Sequence, residues 1–340
     1  MQVQSKILFP EITVKRQPPL NLKPGDEIYF QHEYEKKLPP VYLHQLSNVN
    51  VSSEGIIFNN KFKVFDPCLI DISRKKHYSY RYLLKNYLKR KKIILSENEK
   101  YVLAFDEWSN GYFHWMCDVL PRLIAVETML ADSYVLLPEK FNAHFISEAL
   151  KLFTYKGIQI IPDKHYVNTS SLIMPEHIAT TGNYNPDVML KIKNKIIAQY
   201  KNTSIQQCER IYISRKKAAY RHILNEEEVL NVLKPYNFKI IFFEDYSWGE
   251  QISIMKNAKF LIGVIGANLV NMIFMKPDSY VLQFTTQDNG YDNCYFSLAN
   301  IFNINFLYQF CKYQDTKPGA YWNLNVDINT LKKNLEIMFP

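Results

Sequence analysis

His114, Asp118 and Arg122 recur at i, i+4 and i+8 within "GYFHWMCDVLPRL". On a continuous helix that spacing puts all three on one face. An imidazole beside a carboxylate is suited to proton transfer, with either group as the base and the other orienting it. The same spacing also suits an ordinary Asp118–Arg122 ion pair with no further role. A second cluster, Arg215, Lys216, Lys217 and Arg221, falls within seven residues. Guanidinium forks take phosphate oxygens two at a time, although a solvated basic loop has the same composition. The third feature is "GVIGAN" at 263–268, where Gly263 and Gly266 interrupt the most apolar stretch of a chain with only 10 glycines. Glycine lets backbone N–H groups approach an anion closely, and a following helix N-terminus favours negative charge. A tight turn that needs small residues for packing is the plain alternative. The pattern is neither a GxGxxG fingerprint nor a Walker loop.

These residues need elements to hold them. The first 70 or so residues predict short strands, "EIYFQ", "PVYLHQL", "GIIFNN" and "KFKVFD", separated by Pro, Gly and Asn. A basic helical stretch at 74–93 follows, then a strand ending near Asp106. The helix carrying His114 should kink or restart at Pro121. Strands and helices then alternate, and residues 201–209 read as a linker. Beyond it, "RIYISR", "FKIIFFE", "KFLIGVI", "SYVLQF" and "NFLYQF" predict about five parallel strands with helices between them, a Rossmann-like unit. Asn225 with Glu228, and Ser247 with Glu250, have helix-capping spacing. The expected domains are 1–200, with a β-rich start, and 201–325, with a C-terminal helix at 326–340 packing back on the first domain. Ligands of open α/β sheets sit beyond the carboxyl ends of the strands. That rule selects Arg215, Glu244, Asp245, the 263–268 turn, and Thr285 to Gln287.

At 340 residues, 47% apolar and 22% charged, the chain can bury sizeable cores and is not of disordered composition. The net charge of +8 favours acidic partners. Part of the excess sits at 74–93, which reads as a solvated helix face or as a surface meeting an anionic membrane or acceptor. Five scattered cysteines without a CxxC suggest neither a zinc site nor a disulfide framework, so a reducing compartment is expected. The start has no secretory pattern, and no run of about 18 apolar residues occurs, so a cytoplasmic protein, peripheral at the inner membrane, is expected. Asp-x-Asp and HExxH are both absent. No metal is therefore expected, and Arg, Lys and a helix N-terminus would have to carry the charge of a bound diphosphate.

Three blocks in order carry a resemblance: "YFHWMCDVLPRL", "YISRKKAAYRHILNEEEV" and "LIGVIGANLVNMIFMKPDS". Together they resemble glycosyltransferase family 61, over roughly residues 101–284, as a bacterial member. The resemblance implies a GT-B fold, two Rossmann-like domains facing a cleft with the donor nucleotide on the second. It also implies an inverting, metal-independent transfer from a nucleotide diphosphate sugar to a glycan hydroxyl. No cofactor is implied beyond the donor, a UDP-sugar first among candidates. Arg215 and Arg221 match the donor-phosphate residues, and Lys216 stands beside them in the basic loop as a further candidate. Asn225 and Glu226 support that loop or the nucleotide. Gly266 and Ala267 match the phosphate-facing turn and Asn271 a family asparagine; the residue reading adds Gly263 and Asn268 at the ends of that turn, and Glu244 and Thr285 on the same sheet edge. His114 and Asp118 match the acceptor-side block, with Asp118 expected as base and His114 as its partner or the alternative base. The acceptor would be an oligosaccharide or lipid-linked glycan, as in capsule or lipopolysaccharide assembly, with no nucleic acid involved. One departure stands out. Ile265 replaces the usual histidine of His-Gly-Ala, and Asn268 replaces a glycine. The rival expectations are an inactive paralogue, or a non-catalytic, basic nucleic-acid-binding or scaffold protein.

Overall fold

The computed structural model describes residues 1–201, 203, 208–288, 292–314 and 322–339. The chain forms two compact units. The first comprises residues 1–12 and 37–192, the second 13–36 and 193–340.

The first unit is built on a six-stranded sheet. Its order is Gln2–Phe9, Val41–Ser47, Leu172–Pro175, Lys100–Val102, Ser133–Pro138 and Gly157–Ile161. The last four strands are parallel, and the first two close one side antiparallel. Apolar runs such as "YVLL" in Ser133–Pro138 fit a parallel strand covered on both faces. A four-stranded sheet, Ile57–Phe58, Val49–Ser52, His165–Thr169 and Lys91–Ile94, completes the unit.

The second unit holds five parallel strands, as the alternation predicts. Their order is Lys239–Ile241, Arg210–Ile213, Phe260–Val264, Tyr280–Thr285 and Asn305–Phe310. In chain order this is 2-1-3-4-5. Connections leave the first and third strands in opposite directions, which makes their carboxyl ends the topological switch point of the sheet. The Ser247/Glu250 capping box forms as predicted at the start of Trp248–Asn257.

Several expectations need correction. "EIYF" is a helical turn, Glu27–Phe30, because it belongs to the segment 13–36 that packs on the second unit. Asn21 there donates to Tyr308 O and accepts from Tyr308 N, beside the outer strand Asn305–Phe310. "KFKVFD" makes only a single bridge, Phe58 to Val64. The unit boundary falls between residues 192 and 193, inside the helix Pro186–Gln199. Most of the expected linker at 201–209 lies outside the described residues. The C-terminal helix, Ile328–Met338, belongs to the second unit, where Asn334 bonds Gln309 and Asn21. Its buried Leu331, Leu335 and Met338 explain the docking.

Candidate active site

In the first unit the helix continues across Pro121. It widens to a π turn over Trp115–Val119 and resumes as Leu120–Ala125. Proline cannot donate to the preceding turn, and a wider turn absorbs that loss without ending the helix. His114 and Asp118 therefore remain on one face. His114 Nδ1 lies 2.7 Å from Asp118 Oδ2. The Asp118 side chain is only 4% exposed, that of His114 24%. Trp108 packs on the imidazole with ring centroids 5.2 Å apart.

Arg122 does not make the ordinary ion pair with Asp118. It is buried, and donates through Nε to Pro175 O at 2.9 Å and through Nη2 to Leu103 O at 3.4 Å. Burial lowers its affinity for a proton, and the Asp106 charge does most to offset this. Asp106 is itself paired with His177, Nε2 to Oδ2 at 2.9 Å. Burial pushes the Asp106 carboxyl up, but the bond from His177 and the charges of His177 and Arg122 outweigh it, holding the pKa at about 2. Sequence spacing could not reveal this second histidine–carboxylate pair. Asp106 and His177 stand 71 positions apart and meet because the strands that precede them are parallel neighbours.

In the second unit two of the predicted phosphate residues converge. Arg215 follows the first strand and donates through Nε and Nη2 to Tyr220 O at 3.1 and 3.0 Å. Arg221 has φ +63°, uncommon for a residue with a side chain. Its Nη1 donates to Ile265 O at 2.5 Å. The two guanidinium carbons sit 5.6 and 5.2 Å from the centre of the Tyr220 ring. Burial, then the neighbouring Arg221 charge, pushes the Arg215 guanidinium below its ordinary value. Among the described residues, no carboxylate pairs with either arginine within 4.0 Å; the nearby Glu244 acts on Arg215 only through its field.

The two glycines do different work. A Cβ on Gly266 would stand 2.7 Å from Arg215 Nη1 and 3.4 Å from Arg221 Nη1. Gly266 therefore makes room for the arginines. A Cβ on Gly263 would meet Leu269 at 3.2 Å and Ile213 at 3.6 Å, so Gly263 serves packing. The helix after the turn is a 3₁₀ helix, Ala267–Phe274, not an α-helix. Ala267 and Asn268 are partly exposed on its first turn.

Other predicted residues act as supports. Asn225 makes no side-chain cap; it bonds Val326 through both backbone groups, tying the loop to the C-terminal segment. Glu226 accepts from Tyr212 Oη and Ser214 Oγ, fixing the strand end that presents Arg215. Asn271 is fully buried and donates to Gln251, anchoring the 3₁₀ helix to Trp248–Asn257. Lys216 is exposed, and Lys217 pairs with Asp245. Thr285 and Thr286 are buried at the carboxyl end of their strand, with hydroxyls that have no partner among the described residues. Ile265 is 3% exposed, and its carbonyl is what meets Arg221.

A parallel sheet of order 2-1-3-4-5, with two arginines beside the Gly266 turn at its switch point, defines a doubly wound α/β unit. The family model described as "Glycosyltransferase 61" matches residues 112–282, half of the chain. The chain belongs to glycosyltransferase family 61. Among similar proteins, the "EGF domain-specific O-linked N-acetylglucosamine transferase" of Bos taurus is 30% identical over 103 residues, 29% of this chain and 19% of that protein. The protein of that name from Drosophila melanogaster is 28% identical over 104 residues, 30% of this chain and 20% of the relative. The matches thus span about a fifth of the curated relatives. Among the described residues, no helix is long and apolar enough to cross a membrane.

Proposed function

We propose that the chain transfers a sugar, with inversion and without a metal ion, from a nucleoside diphosphate donor to a hydroxyl. One observation carries the reading: Arg215 and Arg221 converge on Gly266 at the switch point without a carboxylate of their own among the described residues. Two partly buried cations side by side are costly, and a diphosphate relieves that cost with charge-assisted bonds. As the donor's glycosidic bond breaks, negative charge grows on the diphosphate. Arginines already fixed by Tyr220 O and Ile265 O stabilise it without reorganising.

The proton is the task of the first unit. The expected base was Asp118, but its carboxylate is buried and one oxygen is already held by His114. The geometry supports His114 as the base, taking the acceptor proton on Nε2 while Asp118 orients the ring and stabilises the imidazolium. Attack from the face opposite the diphosphate gives inversion. In this reading the second unit is the donor-binding unit.

The relatives' names make N-acetylglucosamine the first sugar to test, as its UDP donor. The acceptor in this reading is an oligosaccharide or lipid-linked glycan at the cytoplasmic face of a bacterial membrane, in capsule or lipopolysaccharide assembly. A protein hydroxyl, which the relatives' names suggest for those proteins, is the second acceptor to test, and donor binding does not depend on that choice.

Thermal unfolding against a panel of nucleoside diphosphates tests the donor site. A ligand at 100 times its Kd adds about 2.7 kcal/mol, so one base should raise the unfolding temperature clearly. Arg215→Ala and Arg221→Ala should each lose about half of that shift or more at the same ligand concentration. A parent protein indifferent to every nucleotide, or variants that respond like the parent, would refute the assignment.

A further inference from the structure

The charge of this chain is concentrated in one place. Residues 72–94 contain nine Lys and Arg and no Asp or Glu. Removing nine from the chain's 41 basic residues leaves 32 against 33 acidic ones, so this segment accounts for the whole net charge. Three of the nine are neutralised locally, Arg74 by Glu107, Lys75 by Asp66 and Arg90 by Glu54. The other six, Lys76, Arg81, Lys85, Lys89, Lys91 and Lys92, are exposed and make no ion pair among the described residues.

Apolar exposure is concentrated there too. Leu88 is 76% exposed and Ile94 72%, the two highest values among large apolar residues described. Ile72 at 61% and Tyr80 at 58% accompany them. The helix Tyr80–Lys89 buries Leu83, and its 3.6-residue period turns Arg81, Lys85, Leu88 and Lys89 outward together. Lys91–Ile94 continues the surface as an edge strand, with Lys92 and Ile94 on one face.

We infer that residues 72–94 dock this unit on an anionic lipid surface. Unpaired cations meet the headgroup charge, while Leu88 and Ile94 enter the headgroup–acyl boundary. Lysine stems lie along the same boundary with their ammonium groups in water. A soluble polyanion would use the charges but leaves exposed aliphatic side chains without a role, and so the lipid surface is favoured.

The test is sedimentation of the whole chain with phosphatidylcholine vesicles, with and without phosphatidylglycerol. The parent should bind only the anionic vesicles, more weakly as salt rises. Changing Arg81, Lys85, Lys89 and Lys92 to Glu should reduce partitioning on the order of a hundredfold or more. Leu88→Ser with Ile94→Ser keeps every charge and should reduce it about tenfold or more. All these residues are exposed, so both variants should unfold at the parent's temperature. Equal binding to neutral vesicles, or no binding to anionic ones, overturns the inference. So does a serine variant that binds like the parent, since the surface would then be purely electrostatic and suited to a soluble polyanion.

Discussion

Gly263 and Gly266 lie in one turn, and the structure gives them opposite roles, so Ala substitutions should separate binding from stability. In Gly266→Ala the new methyl would start 2.7 Å from Arg215 Nη1. The atom it meets is the end of a flexible side chain, so the guanidinium moves and the backbone stays. Arg215 then loses its two bonds to Tyr220 O and its position beside Arg221. A displaced guanidinium forfeits one charge-assisted bond to the diphosphate, worth roughly 1.5–3 kcal/mol. The Kd for the nucleoside diphosphate should rise about ten- to a hundredfold. In Gly263→Ala the methyl meets Leu269 at 3.2 Å and Ile213 at 3.6 Å, both inside the core. Overpacking of that kind typically costs ~1–3 kcal/mol of stability and leaves the arginines in place. Titration calorimetry reads the first effect and denaturant unfolding the second. Gly266→Ala binding as tightly as the parent, with the loss appearing in Gly263→Ala instead, would refute the two roles and the site built on them.

His114→Gln should lower turnover by ~10²–10⁴ while nucleotide affinity stays near the parent's, and Asp118→Asn should lower it less. Single-turnover kinetics with saturating donor compares them, and a larger loss in Asp118→Asn returns the base role to the carboxylate. Activity should survive EDTA, because arginines carry the leaving-group charge; loss on chelation that manganese restores would refute the metal-free mechanism. Asp106 links stability to acid. Its folded pKa of about 2 lies below the value near 3.9 of an unfolded chain. Its contribution, roughly 2 kcal/mol, is present above pH 4 and disappears as the pH falls towards 2. Parent and Asp106→Asn should therefore differ in denaturant midpoint at pH 6 and converge near pH 2, and a gap that is constant with pH would remove Asp106 as its source.

Local pattern was enough for what depends on neighbours in the chain. The five parallel strands of the second unit are legible because each is an apolar run followed by a helical period. The Ser247/Glu250 cap and the shared face of His114 and Asp118 follow from spacings of three and four residues. The carboxyl-end rule correctly put Arg215 beside the Gly266 turn, since parallel strands bring successive loops to one edge. Tertiary structure decided everything that rests on distant pairs. Asn225 resembles a helix cap in sequence, but a bidentate fit to Val326, 101 residues away, takes its side chain instead. Arg122 has helical spacing for Asp118, yet carbonyls of two separate strand ends claim it. "EIYF" has strand propensity, but as part of a segment lying on the second unit it coils into a turn. Gly263 and Gly266 are alike in sequence, and only the atoms around each one show that the first packs a core and the second shelters two arginines. Propensity and period act within a few residues, whereas burial and hydrogen-bond satisfaction are settled by whatever the folded chain brings alongside.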